Sequence, residues 1–504
     1  MSTPDAATAA VEADRSFRRW TIGAVLFASL VRARYLFEPL APDEGGYLAL
    51  ARAWAGGGAL YTRFWVDRPQ GMMTLIRLGD HATGPGNGFL RVLAVVLGIS
   101  SIVAVAWMAR RISGRWQAGA VAAVFVALLS SSPAIEGFTA NGELMAAAFA
   151  VPGMAVTVAV LTDRLSIRWL FIAGALAGLA LSVKQSGYDG LVGTCLWFGL
   201  AWWFQWRRRS ELVGMFLVLM AGLATVIGLL LLQGTVFGFS EYWYAIVGFR
   251  IGSRSAVSSP QWARLGITAS ITLGLTVGMI ALAFLRLRQT HMPLRTWFDR
   301  HNALAVCWLT GAGLALMTGG NYHRHYWITV SFPLALVLAL MVAGVATSES
   351  DEATTPASRW PIAPRELALA CVVPLVVTAV LMVAPGLEQD ARLHQDQVVS
   401  DWVDDHDSDN NGTLLPVCGS ASYHTVADQT PPYPYLWVDN IVAADDAVPK
   451  MVDLLDDPDG PAFVARFQPV TDCDESGRIE AAIRRNFESI GEIDGIEVLE
   501  HIDR

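Results

Sequence analysis

Apolar runs long enough to cross a bilayer recur along the first three-quarters of this chain. Each is roughly 18–22 residues, the length a helix needs to traverse a hydrocarbon core of about 30 Å. About eleven can be placed, near 18–37, 89–109, 117–133, 143–162, 169–184, 189–206, 211–232, 265–285, 302–318, 326–346 and 366–385. Backbone polar groups in lipid must be satisfied within the segment, so such spans are helices. The chain is 53% hydrophobic with mean hydropathy +0.41, too apolar for an ordinary soluble domain. The expected class is an α-helical polytopic membrane protein. The first run is not expected to be a cleaved signal. It follows a polar leader, lacks a small-residue cleavage site and ends in Arg32 and Arg34.

Arginine clusters orient the spans. Arg15, Arg18 and Arg19 precede the first; Arg110, Arg111 and Arg115, then Arg164 and Arg168, then Arg207, Arg208 and Arg209, then Arg286, Arg288, Arg295 and Arg300 fall in alternate loops. All lie on one side if the N-terminus is cytoplasmic. Eleven crossings then put the C-terminus outside, in a multi-pass protein of the plasma membrane.

The net charge of −9 hides a split. Residues 388–504 hold 26 acidic against 7 basic residues, a balance of −19, while the rest carries +10. Residues 1–14 read as a disordered cytoplasmic leader. Residues 15–386 read as the membrane domain, with 38–88 as its first outer loop. Residues 387–504 read as a soluble, acidic, extracytoplasmic domain, whose sign excludes a nucleic-acid partner. Strand-like runs (TLLPVCG, PYLWVDNIV, PAFVARF, IEVLEHI) alternate in it with helical ones (Val448–Leu455, Ser476–Ser489), which suggests a small α/β fold. Five cysteines show no metal spacing. Cys195, Cys307 and Cys371 lie in spans as packing residues. Cys418 and Cys473 lie in the outer domain, where oxidation is permitted. A disulfide between them would contribute roughly 4 kcal/mol by the loop-entropy account, though their spacing alone does not show that they meet.

Polar residues at the outer helix ends are the candidates for chemistry. Asp43-Glu44 opens the first outer loop and Asp67-Arg68-Pro69 follows in it. Between them Gly46–Trp54 has the apolar spacing of an interfacial helix. An acidic pair in a loop is solvated surface in most proteins; two carboxylates on one long loop can also serve as general base and divalent-metal ligand. Glu143, in TANGELMAAAF, lies one turn inside an apolar helix, where a carboxylate is costly. It reads either as a helix-dipole acid or as a functional group, with Asn141 as an N-cap. Lys184, in GLALSVKQSGYDG, is one of only two lysines against 34 arginines. It could snorkel or present a point cation to one phosphate. The run TGGNYHRHYWITVSFPLAL places Arg324, His325 and Tyr326 at an outer helix end, where Tyr326 and Trp327 also suit an aromatic belt. Two histidines alone do not make a metal site. Arg250 and Arg254, in an aromatic outer loop over 236–263, oppose the positive-inside trend.

The order and common sidedness of these motifs resemble the GT-C superfamily of integral-membrane glycosyltransferases, especially bacterial relatives of protein O-mannosyltransferases and of the lipid A aminoarabinose transferase. The stretches that carry the resemblance are APDEGGYLALARAW and FWVDRPQGMMTLI, where Asp-Arg-Pro-Gln stands for the relatives' Glu-Lys-Pro-Pro. The tail run VCGSASYHTVADQTPPYPYLWVDN is similar to the outer domain of some members. The resemblance implies Asp43 and Glu44 as catalytic carboxylates, Asp43 being the base or a metal-site ligand. It further implies donor or donor-phosphate contacts by Asp67, Arg68, Glu143, Lys184, Arg324, His325 and Tyr326. A divalent cation, Mg2+ or Mn2+, on Asp43 and Glu143 is an option the family leaves open. The implied donor is a polyprenyl-phosphate sugar, since nucleotide sugars stay in the cytosol, and the implied acceptor is a glycan, lipid or protein hydroxyl. A one-step displacement would invert the anomeric carbon. The alternatives are a transporter or flippase of lipid-linked sugars, which calls for midplane charges and paired internal repeats, and a non-catalytic scaffold. The tail is left with two readings, acceptor binding or shielding of the cavity.

Overall fold

Each of the eleven expected spans forms a helix. The computed structural model describes residues 6–84, 88–253, 259–290, 297–343, 363–383, 389–407 and 413–502. Its long helices are Ala6–Ala33, Gly88–Ser113, Trp116–Ser130, Gly142–Leu161, Leu170–Val183, Asp189–Trp203, Arg209–Phe237, Ser259–Gln289, Asn302–Gly319, Trp327–Ala343 and Pro364–Val383. Among the described residues seven helices are long and apolar enough to cross a membrane, against the eleven spans expected. The other four fall short for two reasons. The first carries Glu12, Asp14 and three arginines in its leading half. Trp116–Ser130, Leu170–Val183 and Asp189–Trp203 have 15, 14 and 15 residues, about 22 Å at 1.5 Å per residue. The leader expected to be disordered is helical from Ala6, where the alanine-rich run AATAA favours helix.

The chain divides into two compact units. The first comprises Met1–Leu36, Arg91–Leu230 and Val257–Val383. In it Asp189–Trp203 packs on Asn302–Gly319, Gly142–Leu161 on Leu170–Val183, and Trp116–Ser130 between Ala6–Ala33 and Trp327–Ala343. Glycines set the closest approach. A Cβ on Gly174 would come within 1.8 Å of the Leu219 carbonyl oxygen, and one on Gly222 within 1.9 Å of that of Phe171. Two backbones touch there, as small residues allow between helices in lipid. Arg32, at the end of the first helix, is fully buried. Its Nε donates to the Gly137 carbonyl at 3.0 Å and Nη2 to the Ser130 carbonyl at 2.8 Å. The guanidinium thereby satisfies carbonyls where helix Trp116–Ser130 ends and fixes the turn that follows.

The second unit comprises Phe37–Leu90, Leu231–Ala256 and Ala384–Arg504. The first outer loop therefore groups with the tail, not with the membrane helices among which the sequence division put it. The tail is a four-stranded mixed sheet in the order β1-β2-β4-β3, built from β1 Leu414–Val417, β2 Phe463–Arg466, β3 Phe487–Ile493 and β4 Ile496–His501. β1 and β2 are parallel, in register Leu414 to Phe463; β2–β4 and β4–β3 are antiparallel. Val399 and Val403, from helix Gln389–His406, pack on Leu414, Phe463 and Val498 of the sheet. Cys418, just past β1, is joined to Cys473 by a disulfide with Cα atoms 5.7 Å apart. Two expectations shift. PYLWVDNIV is not a strand: it is irregular up to Trp437 and helical over Val438–Ala443. The run 476–489 is helical only over Arg478–Asn486, after which β3 begins.

The first outer loop holds helices Pro42–Ala55 and Gln70–Thr83. The first was expected at an interface from Gly46. It starts four residues earlier, with Pro42 at its first turn, and most of it is buried. The expected aromatic loop over 236–263 is largely helical: Phe239–Trp243, a π-turn over Tyr244–Gly248, then Phe249–Ser253.

Candidate active site

The candidate residues fall into two clusters, one in each unit. In the second unit, Asp43 and Glu44 lie in the first turn of helix Pro42–Ala55 rather than in a solvated loop. They differ sharply in role. Glu44 is 2% exposed, and its Oε2 accepts a hydrogen bond from the Ala41 backbone N–H at 2.9 Å. It closes the helix N-terminus on itself, as a glutamate at the third position does in a capping box. That gives Glu44 a structural task at the head of this helix. Asp43 is half-buried, and its Oδ1 accepts from the Trp437 indole Nε1 at 2.9 Å.

Asp67 does not stand as a lone ligand. Its Oδ2 is ion-paired with Arg68 Nη1 at 2.8 Å and with Arg250 Nη2. The carboxylate holds two guanidiniums together, and the group carries a net positive charge. Tyr61, in a left-handed turn, donates its hydroxyl to the Arg68 carbonyl at 2.9 Å and fixes the backbone there. Arg68 lies 5.9 Å from the Tyr47 ring, which meets the Trp437 ring at 4.9 Å. The series Asp67, Arg68, Tyr47, Trp437, Asp43 is thus continuous. Arg254 lies outside the described residues.

In the first unit, Glu143 follows the N-cap Asn141, whose side-chain oxygen accepts from the Leu144 N–H at 2.9 Å. Glu143 and Lys184 form a buried ion pair. The Lys184 ammonium also sits 4.1 Å from the Tyr326 ring. His325 bridges two carboxylates: Nδ1 is 2.8 Å from Glu136 Oε2, and Nε2 is 3.8 Å from Glu143 Oε2. Arg324 Nε is 3.4 Å from Glu136 Oε1. The motifs around Glu143, Lys184 and Arg324–Tyr326 therefore converge, as their common sidedness requires. Glu136 was missed. It sits in a short turn after helix Trp116–Ser130, at left-handed φ 57°, and belongs to no motif. The only sequence signal was a lone acid between two apolar runs. Burial raises its carboxyl, but His325, Arg324 and His323 outweigh that and hold it at about 2. Trp437, the other residue missed, lay within the tail run that carried the resemblance.

Of the pair expected to hold a divalent cation, Asp43 lies in the second unit and Glu143 in the first, where Glu143 pairs with Lys184. Among the described residues no group of three or more His, Cys, Asp or Glu is gathered to hold a metal ion.

No protein-family model matches the sequence, and no curated protein matches it. Solved structures do. ArnT from Cupriavidus metallidurans, bound to undecaprenyl phosphate, aligns with TM-score 0.62 at 14% identity, over 95% of this chain and 97% of its own. The Archaeoglobus fulgidus oligosaccharyltransferase in its apo form aligns with TM-score 0.57 at 13% identity, over 88% of this chain and 69% of its own. AglB from the same organism, in complex with an inhibitory peptide and a dolichol-phosphate, aligns with TM-score 0.56 at 13% identity, over 93% and 72%. At such low identity the likeness speaks for architecture, and it runs nearly end to end. The chain shares the fold of ArnT and of these oligosaccharyltransferases.

Proposed function

We propose that the chain transfers a sugar from a polyprenyl-phosphate donor to an acceptor hydroxyl at the outer face of the plasma membrane. The observation that carries this reading is the fold match, over 95% of the chain, to ArnT bound to undecaprenyl phosphate. In this reading Asp43 takes the proton of the acceptor hydroxyl. The hydroxyl oxygen bonds to the anomeric carbon as the bond from that carbon to the phosphate oxygen breaks. Polyprenyl phosphate leaves with the electron pair, and the single displacement inverts the carbon. Arg68 with Arg250, in the same unit as Asp43, are the cations available to the leaving phosphate. Asp67 orients its two guanidiniums; a carboxylate against the phosphate itself would repel it. The N-terminus is cytoplasmic and the acidic tail extracytoplasmic, as the arginine clusters argue.

The test uses the full chain in lipid nanodiscs, with an extract of the cell envelope as acceptor source. Radiolabelled polyprenyl-phosphate mannose, arabinose and aminoarabinose are offered in turn. The expected result is release of polyprenyl phosphate from one of them, reduced by on the order of 10²–10⁴-fold in Asp43→Asn. Movement of donor between leaflets without turnover, indifferent to Asp43→Asn, would make the protein a transporter instead.

A further inference from the structure

The tail meets the first outer loop at two adjacent glycines. A Cβ on Gly45 would lie 2.7 Å from the Ser422 Cβ, and one on Gly46 2.7 Å from the Trp437 ring. Thr425 Oγ1 donates to the Gly45 carbonyl at 2.6 Å, and the Trp65 N–H donates to the Pro434 carbonyl at 3.3 Å. The helix surface beside the Asp-Glu pair is therefore bare so that the tail can lie on its backbone. Trp437 comes to rest there. It precedes helix Val438–Ala443, and its carbonyl accepts the Asn440 and Ile441 N–H groups at 2.9 and 3.1 Å. Its ring is held against Tyr47 at 4.9 Å, and its indole N–H is aimed at Asp43 Oδ1, 394 residues away in the chain.

We propose that Trp437 is a positioning residue for the transfer reaction, so that the acidic tail contributes directly to the machinery around Asp43. This rests on the reading of Asp43 as the base. An aspartate on the first turn of a helix has rotational freedom about its side chain. The indole bond removes it, and with Oδ1 so held, Oδ2 is the oxygen left to take the acceptor proton. Fixing a reacting group in its productive orientation lowers the barrier without changing how substrate binds.

Two substitutions separate positioning from packing. Trp437→Phe keeps an aromatic ring at the position and removes the N–H donor, along with part of the indole's area. Gly46→Ala leaves Trp437 in the chain and pushes its ring from the helix, while alanine itself favours helix. In the nanodisc assay with the turned-over donor, both are expected to lower kcat by on the order of 10–100-fold, as losing an orienting partner does. The donor KM and the thermal unfolding midpoint of Trp437→Phe should match the parent. Asp43-dependent turnover that Trp437→Phe leaves intact would overturn the positioning alone. A raised KM with a lowered midpoint would also overturn it, by showing a packing role. Turnover that is absent with every donor, or equal in Asp43→Asn, would instead overturn the transferase reading on which it stands.

Discussion

At the scale of single residues, His424 gives the tail an acid sensitivity that can be traced to one imidazole. It is buried at the second position of the short helix Tyr423–Val426, and its Nδ1 has no hydrogen-bond partner among the described residues. Burial pushes the imidazole down to about 3, so the folded tail keeps it neutral across the ordinary range. The unfolded chain binds that proton near 6.5. Between those values the unfolded state holds more protons, so stability falls as the pH drops below 6.5. At pH 5 the cost is about 2 kcal/mol. His424→Leu should remove most of that slope, read as thermal midpoints at pH 7 and pH 5. Equal slopes in the two proteins would mean that the acid response lies elsewhere. None of this is legible in the sequence, where His424 is one polar residue in the run SYHTVADQ. Glu136 escaped for the same reason. A residue's chemistry was legible where it broke a strong pattern, as Glu143 and Lys184 do inside apolar helices. It was hidden where the pattern around it was already mixed.

At the scale of elements, the ion pair between Glu143 and Lys184 ties the first turn of Gly142–Leu161 to the end of Leu170–Val183. The sequence left the lysine between snorkelling and a phosphate contact, and the glutamate between a dipole effect and a functional role. It did not show that each satisfies the other across two helices that only the fold brings together. Removing one partner of a buried pair leaves an uncompensated charge and costs about 3–5 kcal/mol, whereas replacing both is often nearly neutral. Lys184→Met should therefore destabilise strongly, and adding Glu143→Gln should restore most of the loss. Turnover then separates the two tasks of the lysine. If Lys184 serves the donor phosphate as well as Glu143, the double variant regains its thermal midpoint and stays slow. Full recovery of both would confine Lys184 to structure. The helices themselves were readable with few errors, since a run of twenty apolar residues has only one satisfactory backbone in lipid. The tail's short segments were not. PYLWVDNIV has strand-like composition, yet its tyrosine and tryptophan serve contacts with the first outer loop, and that context decides its shape.

At the scale of the whole molecule, the unit made of the first outer loop, residues 231–256 and the tail changes what a truncation would do. Read from sequence, the tail was a soluble domain on a membrane body, so its loss should alter acceptor choice more than donor binding. The observed contacts within that unit argue otherwise. Gly45 and Gly46 present bare backbone to Ser422, Thr425 and Trp437, and Trp65 meets Pro434 and Tyr435. Helix Pro42–Ala55 buries nine of its fourteen residues, with part of that cover supplied by the tail. Deleting residues 390–504 would strip that cover and cut the indole bond to Asp43. The expected outcome is loss of turnover with every donor and acceptor, with new protease cleavage within residues 38–90, while the helices of the first unit stay resistant. The opposite outcome is equally readable. A truncated protein that transfers sugar at the parental rate, with an intact first loop and a changed acceptor profile, would make the tail an acceptor module. Trp437 would then be an ornament of the loop. The choice between these outcomes turns on two glycines beside the acidic pair, where the tail lies on bare helix backbone.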